Sequence, residues 1–145
     1  MDIGKFPSSL LERLLQKPGV TDSRVLLGPK VGEDAAVIDL GETLLVAKSD
    51  PITFATDRIG WYAVQVNAND IAAMGAEPRF FLATIILPEK TASPDLVESI
   101  FRSIHAAADE MDITVCGGHT EITHGIDRPI VVGQMLGDVP RDRLV

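Results

Sequence analysis

The stretch Asn67-Ala68-Asn69-Asp70-Ile71-Ala72-Ala73-Met74-Gly75-Ala76-Glu77-Pro78 closes a run that begins at Ile59 and carries a single charge, Asp70, as far as Ala76. Ala, Met, Val and Ile dominate this run, and its length suits a helix of several turns. Apolar residues surround the cylinder, so the helix is expected to be buried rather than one-sided. Gly75 supplies a C-cap and Pro78 forbids continuation. An ionised carboxylate in such a setting is costly unless a cation or several donors compensate it. Asp70 therefore has two readings. One is an ion pair with Arg79. The other is a functional site shared with its polar neighbours Asn67 and Asn69.

Working outward, Arg79 to Leu87 reads as the longest strand, apolar on both faces and so covered on both. Pro88 closes it. Ser93-Pro94-Asp95 is a helix start, with an N-cap serine, a proline at the first helical position and an acid in the first turn. That helix runs to about Met111 on the stripe Val97, Ile100, Ile104, Ala107, Ala108 and Met111. Ile113 to Cys116 is a short strand entering a loop, Gly117-Gly118-His119-Thr120-Glu121. Pro129 to Leu136 is the last strand.

Upstream, Ser9-Leu10-Leu11-Glu12 is a capping-box pattern for a helix from Ser9 to Gln16, stopped by Lys17-Pro18-Gly19. Arg24 to Leu27 is a short strand. Ala35 to Asp39 and Thr43 to Ser49 are strands joined through Leu40-Gly41-Glu42. Asp50-Pro51 breaks the second of these, and a loop with Thr53 and Thr56 leads into the central helix.

These elements imply an α/β (α+β) two-layer sandwich: a mixed, mainly antiparallel four-stranded sheet with two long helices on one face. The other face needs a cover, for which a two-fold partner is the simplest candidate. The expected division is an N-terminal helix and flexible segment over 1–27, one domain over 28–138, and over 139–145 the start of a linker to a further domain.

The 145 residues suit one domain, and a hydrophobic share of 46% with only 5% aromatic residues points to an aliphatic core. A net charge of -8 opposes sequence-independent nucleic-acid binding. A lone cysteine, Cys116, leaves no internal disulfide and fits a reducing, cytoplasmic setting. Charged residues interrupt the N-terminus where a signal peptide would lie, and the longest apolar run is too short to span a bilayer.

Four clusters at element edges can carry chemistry: Gly32-Glu33-Asp34-Ala35-Ala36, Lys48-Ser49-Asp50-Pro51, Asn67-Ala68-Asn69-Asp70 and Gly117-Gly118-His119-Thr120-Glu121. Carboxylates hold a nucleoside triphosphate only through Mg²⁺, and glycines let backbone N–H groups approach its phosphates. Each cluster also has a plain structural reading, as a turn or a strand end. No Walker or dinucleotide glycine pattern is present.

Taken in order, Gly32-Glu33-Asp34-Ala35-Ala36-Val37, Ser49-Asp50, Asn69 to Pro78 and Cys116 to Glu121 resemble the motifs of the aminoimidazole ribonucleotide (AIR) synthetase superfamily. Its members include the purine-pathway synthetase, thiamine monophosphate kinase, selenophosphate synthetase and the hydrogenase-maturation dehydratase HypE. The wording is closest to HypE-like or AIR synthase-related members. The resemblance implies an N-terminal domain that binds ATP and Mg²⁺ and dimerises through its sheet. ATP would lie in a cleft bounded by this domain, its partner copy and a C-terminal domain.

It also implies metal roles for Asp34, Asp50, Asp70 and Glu121, and phosphate contacts from Lys48, Asn67, Gly117, Gly118, His119 and Thr120. The reaction it implies is ATP-dependent phosphorylation or dehydration of an amide-like oxygen on a small-molecule or protein-bound substrate, with this segment inactive alone. Alternatives are a thiamine-monophosphate kinase and a non-catalytic dimerising nucleotide-binding module. His119 stands where related kinases and dehydratases have aspartate, and the N-terminal nucleophile of selenophosphate synthetase is absent.

Overall fold

A computed structural model describes residues 3–16, 19–55 and 57–145. The expected stop at Lys17-Pro18 and the loop residue Thr56 lie outside the described residues. In chain order the elements are α1 (Ser8–Leu15), β1 (Val25–Leu27), β2 (Ala36–Asp39), β3 (Thr43–Ile52), α2 (Ile59–Ala73), β4 (Glu77–Pro88), α3 (Pro94–Glu110), β5 (Thr114–Thr123) and β6 (Ile130–Pro140). A single 3₁₀ turn over Arg141–Arg143 follows.

The sheet has six strands, not the expected four, in the order β1-β2-β3-β6-β4-β5. Only β4 and β5 pair in parallel, through the crossover helix α3, and every other neighbouring pair is antiparallel. The sheet exceeds four strands because the short segments at both ends join it as β1 and β5, and Gly117–Glu121 is not a loop but the middle of β5. Three helices are present among the described residues, and α1 carries no buried residue. No side chain caps α1, so the expected Ser9 capping box is not formed.

β3 also runs past Asp50-Pro51 to Ile52. β2 reaches only as far as Ala47, so beyond that residue β3 pairs on one side alone, with β6. Proline is tolerated in such one-sided segments, where a strand has an open edge.

Strand alternation divides the sheet cleanly. Val37, Leu44, Val46, Phe81, Ala83, Ile85, Leu87, Val131, Met135 and Val139 point to the helix side and are buried. They pack with Ile59, Ala63, Val64, Ala68 and Ile71 of α2 and with Ile100, Ile104, Ala107 and Ala108 of α3. α3 starts as its sequence demands, with the Ser93 hydroxyl accepting from Leu96 N–H at 3.2 Å. α2 ends in a Schellman turn: Gly75 has φ 76, and the N–H groups of Gly75 and Ala76 reach the carbonyls of Ala72 and Ile71. α2 is one-sided rather than wholly buried, since Tyr62, Asn69 and Ala73 face out. No helix among the described residues is long and apolar enough to cross a membrane.

Candidate functional site

The site grows from the open end of β3. Leu44, Val46, Lys48 and Asp50 alternate onto the helix side, the first two buried and the last two emerging from the core beside α2. There Lys48 Nζ lies 2.9 Å from Asp70 Oδ2 and 3.5 Å from Asp50 Oδ2. Lys48 is the more enclosed partner, its side chain 18% exposed. The cation that compensates Asp70 is thus Lys48 and not Arg79. Arg79 instead bonds Glu77 at 2.7 Å and Asp138 at 3.0 Å on the sheet's outer surface.

Asn67 holds this end of β3 in place. It is fully buried. Its amide oxygen accepts from the Asp50 N–H at 2.9 Å, and its NH₂ donates to the Ala63 carbonyl at 2.8 Å and to the Asp50 carbonyl at 3.3 Å. With no β2 alongside, the side chain supplies the hydrogen bonds a neighbouring strand would make. The amide is spent within the protein, so Asn67 has the geometry of a positioning residue for Asp50 rather than of an exposed phosphate donor.

Gly133, opposite Asp50 on β6, makes room for it: a Cβ there would stand 2.3 Å from Asn67 Nδ2. Sequence reasoning passed over Gly133. A lone glycine inside an apolar strand is the signal that marks such a close approach.

The electrostatics are strained. Burial holds the Asp50 carboxyl above its ordinary range, with Asp70 adding to the rise and Lys48 opposing it. Burial pulls the Lys48 ammonium down, but Asp70 and Asp50 outweigh it and its pKa lies above the usual lysine value. Two carboxylates sharing one ammonium leave a negative charge over. Asp50 also borders an open cavity of about 580 Å³ lined by Pro51, Ile52, Thr53, Phe54 and Tyr62.

The other predicted residues lie elsewhere. Asp34 is exposed at the entrance to β2, two residues before Ala36, whose partner is Ala47. Gly117, Gly118, His119, Thr120 and Glu121 lie exposed along β5, where His119 Nε2 and Glu121 Oε2 are 3.0 Å apart. Asp50, Gly133, Ala83 and Gly118 occupy one row across β3, β6, β4 and β5. Three strand spacings separate the ends of that row, about 14 Å. Among the described residues no group of three or more His, Cys, Asp or Glu side chains is placed to hold a metal. Asp34, Asp50, Asp70 and Glu121 are therefore not assembled into one ligand set within a single chain.

Residues 32–139 match the family described as AIR synthase related protein, N-terminal domain. A Methanocaldococcus jannaschii protein named for hydrogenase expression/formation is 30% identical, covering 98% of this chain and 44% of its own length. A selenide, water dikinase of Carboxydothermus hydrogenoformans is 34% identical over 118 residues, covering 79% of this chain and 34% of its own length. The chain thus spans less than half the length of these curated relatives. The crystal structure of hydrogenase maturation protein HypE in complex with ATP shares the fold, with a TM-score of 0.61 at 24% identity, covering 92% of this chain and 36% of that one.

Proposed function

This chain belongs to the AIR synthase related proteins through their N-terminal domain, and on that premise we propose that it is the ATP- and Mg²⁺-binding, dimerising half of a longer ATP-dependent enzyme of the hydrogenase-maturation type. The observation that carries the proposal is the Lys48–Asp50–Asp70 cluster. A buried-edge ammonium held between two carboxylates that outnumber it is a poor way to stabilise a fold. It is a good way to hold a lysine ready for phosphate and two acids ready for a divalent cation.

The donor set fits Mg²⁺ in its chemistry, hard oxygens carrying one negative charge in excess of Lys48. When bound, ATP would supply the phosphoryl group and Mg²⁺ would neutralise its oxygens. The chain's own residues do the rest. Lys48 would hold a phosphate oxygen, Asp50 and Asp70 would hold the metal, and Asn67 fixes the main chain of Asp50. Asp34 is proposed to complete the acid set from the start of β2.

The span of about 14 Å across the sheet supports a divided site. In a dimer formed on the sheet's helix-free face, the glycine-bearing strand β5 of one copy is proposed to reach the helix-side acids of the other around the open edge of β3. That face carries Leu45, Phe80, Leu82, Ile86, Val132 and Leu136, all partly or well exposed. The dikinase name of one relative supports phosphoryl transfer as the shared chemistry. The M. jannaschii relative, named for hydrogenase expression/formation, supports the maturation type over the other members.

The test is titration calorimetry of Mg²⁺-ATP into the full-length protein. Lys48→Met and Asp70→Asn are expected to weaken binding at least about tenfold while circular dichroism shows both variants folded. Unchanged affinity in both variants overturns the assignment. Phosphorylation of thiamine monophosphate by the full-length protein would make the enzyme that kinase instead.

A further inference from the structure

The open end of β3 runs alongside α2 beyond the charged cluster. Lys48 meets Asp70, Asp50 meets Asn67, and past Ile52 the chain shares a cavity with Tyr62. Each step along β3 is therefore a step back along α2 toward its first turn. From Asp70 to Tyr62 the helix rises about 12 Å. The cavity of about 580 Å³ begins at Asp50 and has Phe54 and Tyr62 in its walls.

The two rings have no place in the hydrophobic core. Phe54 is 73% exposed and Tyr62 42%. Other rings of this chain reach solvent too, Phe80 among them on the face proposed for the dimer. Phe54 and Tyr62 differ in facing one hollow whose rim is a carboxylate. Tyr62 is also held from behind. Trp61 meets it at 86° with 5.1 Å between ring centres, and the Arg58 guanidinium lies 4.4 Å from the centre of the Trp61 ring. A ring so restricted loses little freedom when something stacks on it. Lys5 is the one other charged side chain lining the hollow among the described residues, so its ammonium balances Asp50 there. An uncharged planar group suits such a place better than an ion.

We infer that Phe54 and Tyr62 hold the base of the nucleotide whose phosphates are proposed to lie at Lys48, Asp50 and Asp70, an inference that rests on that reading. Phosphates anchored at the cluster leave the ribose and base to run along the cleft between β3 and α2. The stretch from Asp70 to Tyr62 is one that a ribose and a phosphate chain can bridge. Aromatic side chains bind bases through their flat faces and need no hydrogen-bond readout. The volume lies in the range of small-molecule sites. The divided site is undisturbed, because the second copy's β5 is proposed to reach the phosphate end, and the base lies toward the start of α2.

The test is calorimetry on the full-length protein with two ligands, Mg²⁺-ATP and Mg²⁺ with inorganic triphosphate, which has phosphates and no ring. Phe54→Ala and Tyr62→Ala, both at exposed positions and checked for folding by circular dichroism, should each lower ATP affinity about tenfold and leave triphosphate affinity unchanged. Tyr62→Phe keeps the ring and should keep the affinity for ATP. Full ATP affinity in both alanine variants overturns the inference. So does an equal loss of both ligands, since the rings then support the phosphate end or the fold. Lys48→Met separates this inference from the reading beneath it. If Lys48→Met weakens ATP while the alanine variants do not, the nucleotide reading stands and the base lies elsewhere. If wild type binds no ATP, both fall.

Discussion

Asp50 is held by Asn67 and pushed by burial, and the two effects are separable by substitution. Asn67→Ala removes three hydrogen bonds made by a fully buried amide and leaves the Asp50 N–H and carbonyl without that partner. A cost of about 2–4 kcal/mol is expected from such orphaned groups and the small cavity, read as a lower urea midpoint. Asp50→Asn should act in the opposite direction. The folded-state pKa of Asp50 is raised, chiefly by burial. Its stabilising contribution is therefore complete below the unfolded pKa and is lost as pH rises through the folded value. The asparagine variant should gain on wild type as pH climbs through that window, and the two should converge at lower pH. Urea titrations across the window check this; a gap that widens toward acid pH would show that Lys48 dominates. A variant that is more stable and binds less nucleotide is the pattern expected of a functional acid.

The same clamp ties elements together. Gly133 of β6 sits under Asn67 of α2, and a methyl group there meets both Nδ2 of Asn67 at 2.3 Å and the ring of Phe81 at 2.8 Å. Gly133→Ala should therefore loosen α2 from the sheet and release Asp50, costing about 1–3 kcal/mol by overpacking. Combined with Asn67→Ala, which clears the space, the double variant should lose less than the sum of the two singles. Strict additivity in thermal melts would mean that the two residues do not share this contact.

Much at this level was legible in the sequence. Ser93-Pro94 and Gly75 marked helix ends because local chemistry decides them. Asp70 stood out because its helix holds no other charge. What was not legible is non-local. Nothing in the run Gly117 to Glu121 says that it will pair with β4, and Pro51 reads as a break until β2 is seen to stop short at Ala47. Lys48 and Asp70 are distant in sequence, and only the packing of α2 on β3 brings them together, where Arg79 seemed the nearer partner along the chain.

At the scale of the whole molecule, the two faces of the sheet carry different burdens. The helix side is closed by α2 and α3. The other side presents Phe80, 48% exposed, with Leu45, Leu82, Ile86, Val132 and Leu136 in neighbouring positions of the register. Apolar side chains clustered on one face of β3, β6 and β4, between Ser49, Gln134 and Thr84, suit an interaction surface. If it is the dimer face, burying it in a second copy also resolves the separation between the acids on β3 and the glycines on β5. Leu82→Asp and Phe80→Glu each place a carboxylate in that surface without touching the helix-side core. Both should convert a dimer to a monomer in sedimentation velocity while the far-ultraviolet spectrum is unchanged. In the full-length protein they should also weaken Mg²⁺-ATP binding, although neither residue belongs to the Lys48–Asp50–Asp70 cluster. Loss of the dimer with full nucleotide affinity would mean that each protomer holds ATP alone, and the divided site would have to be abandoned.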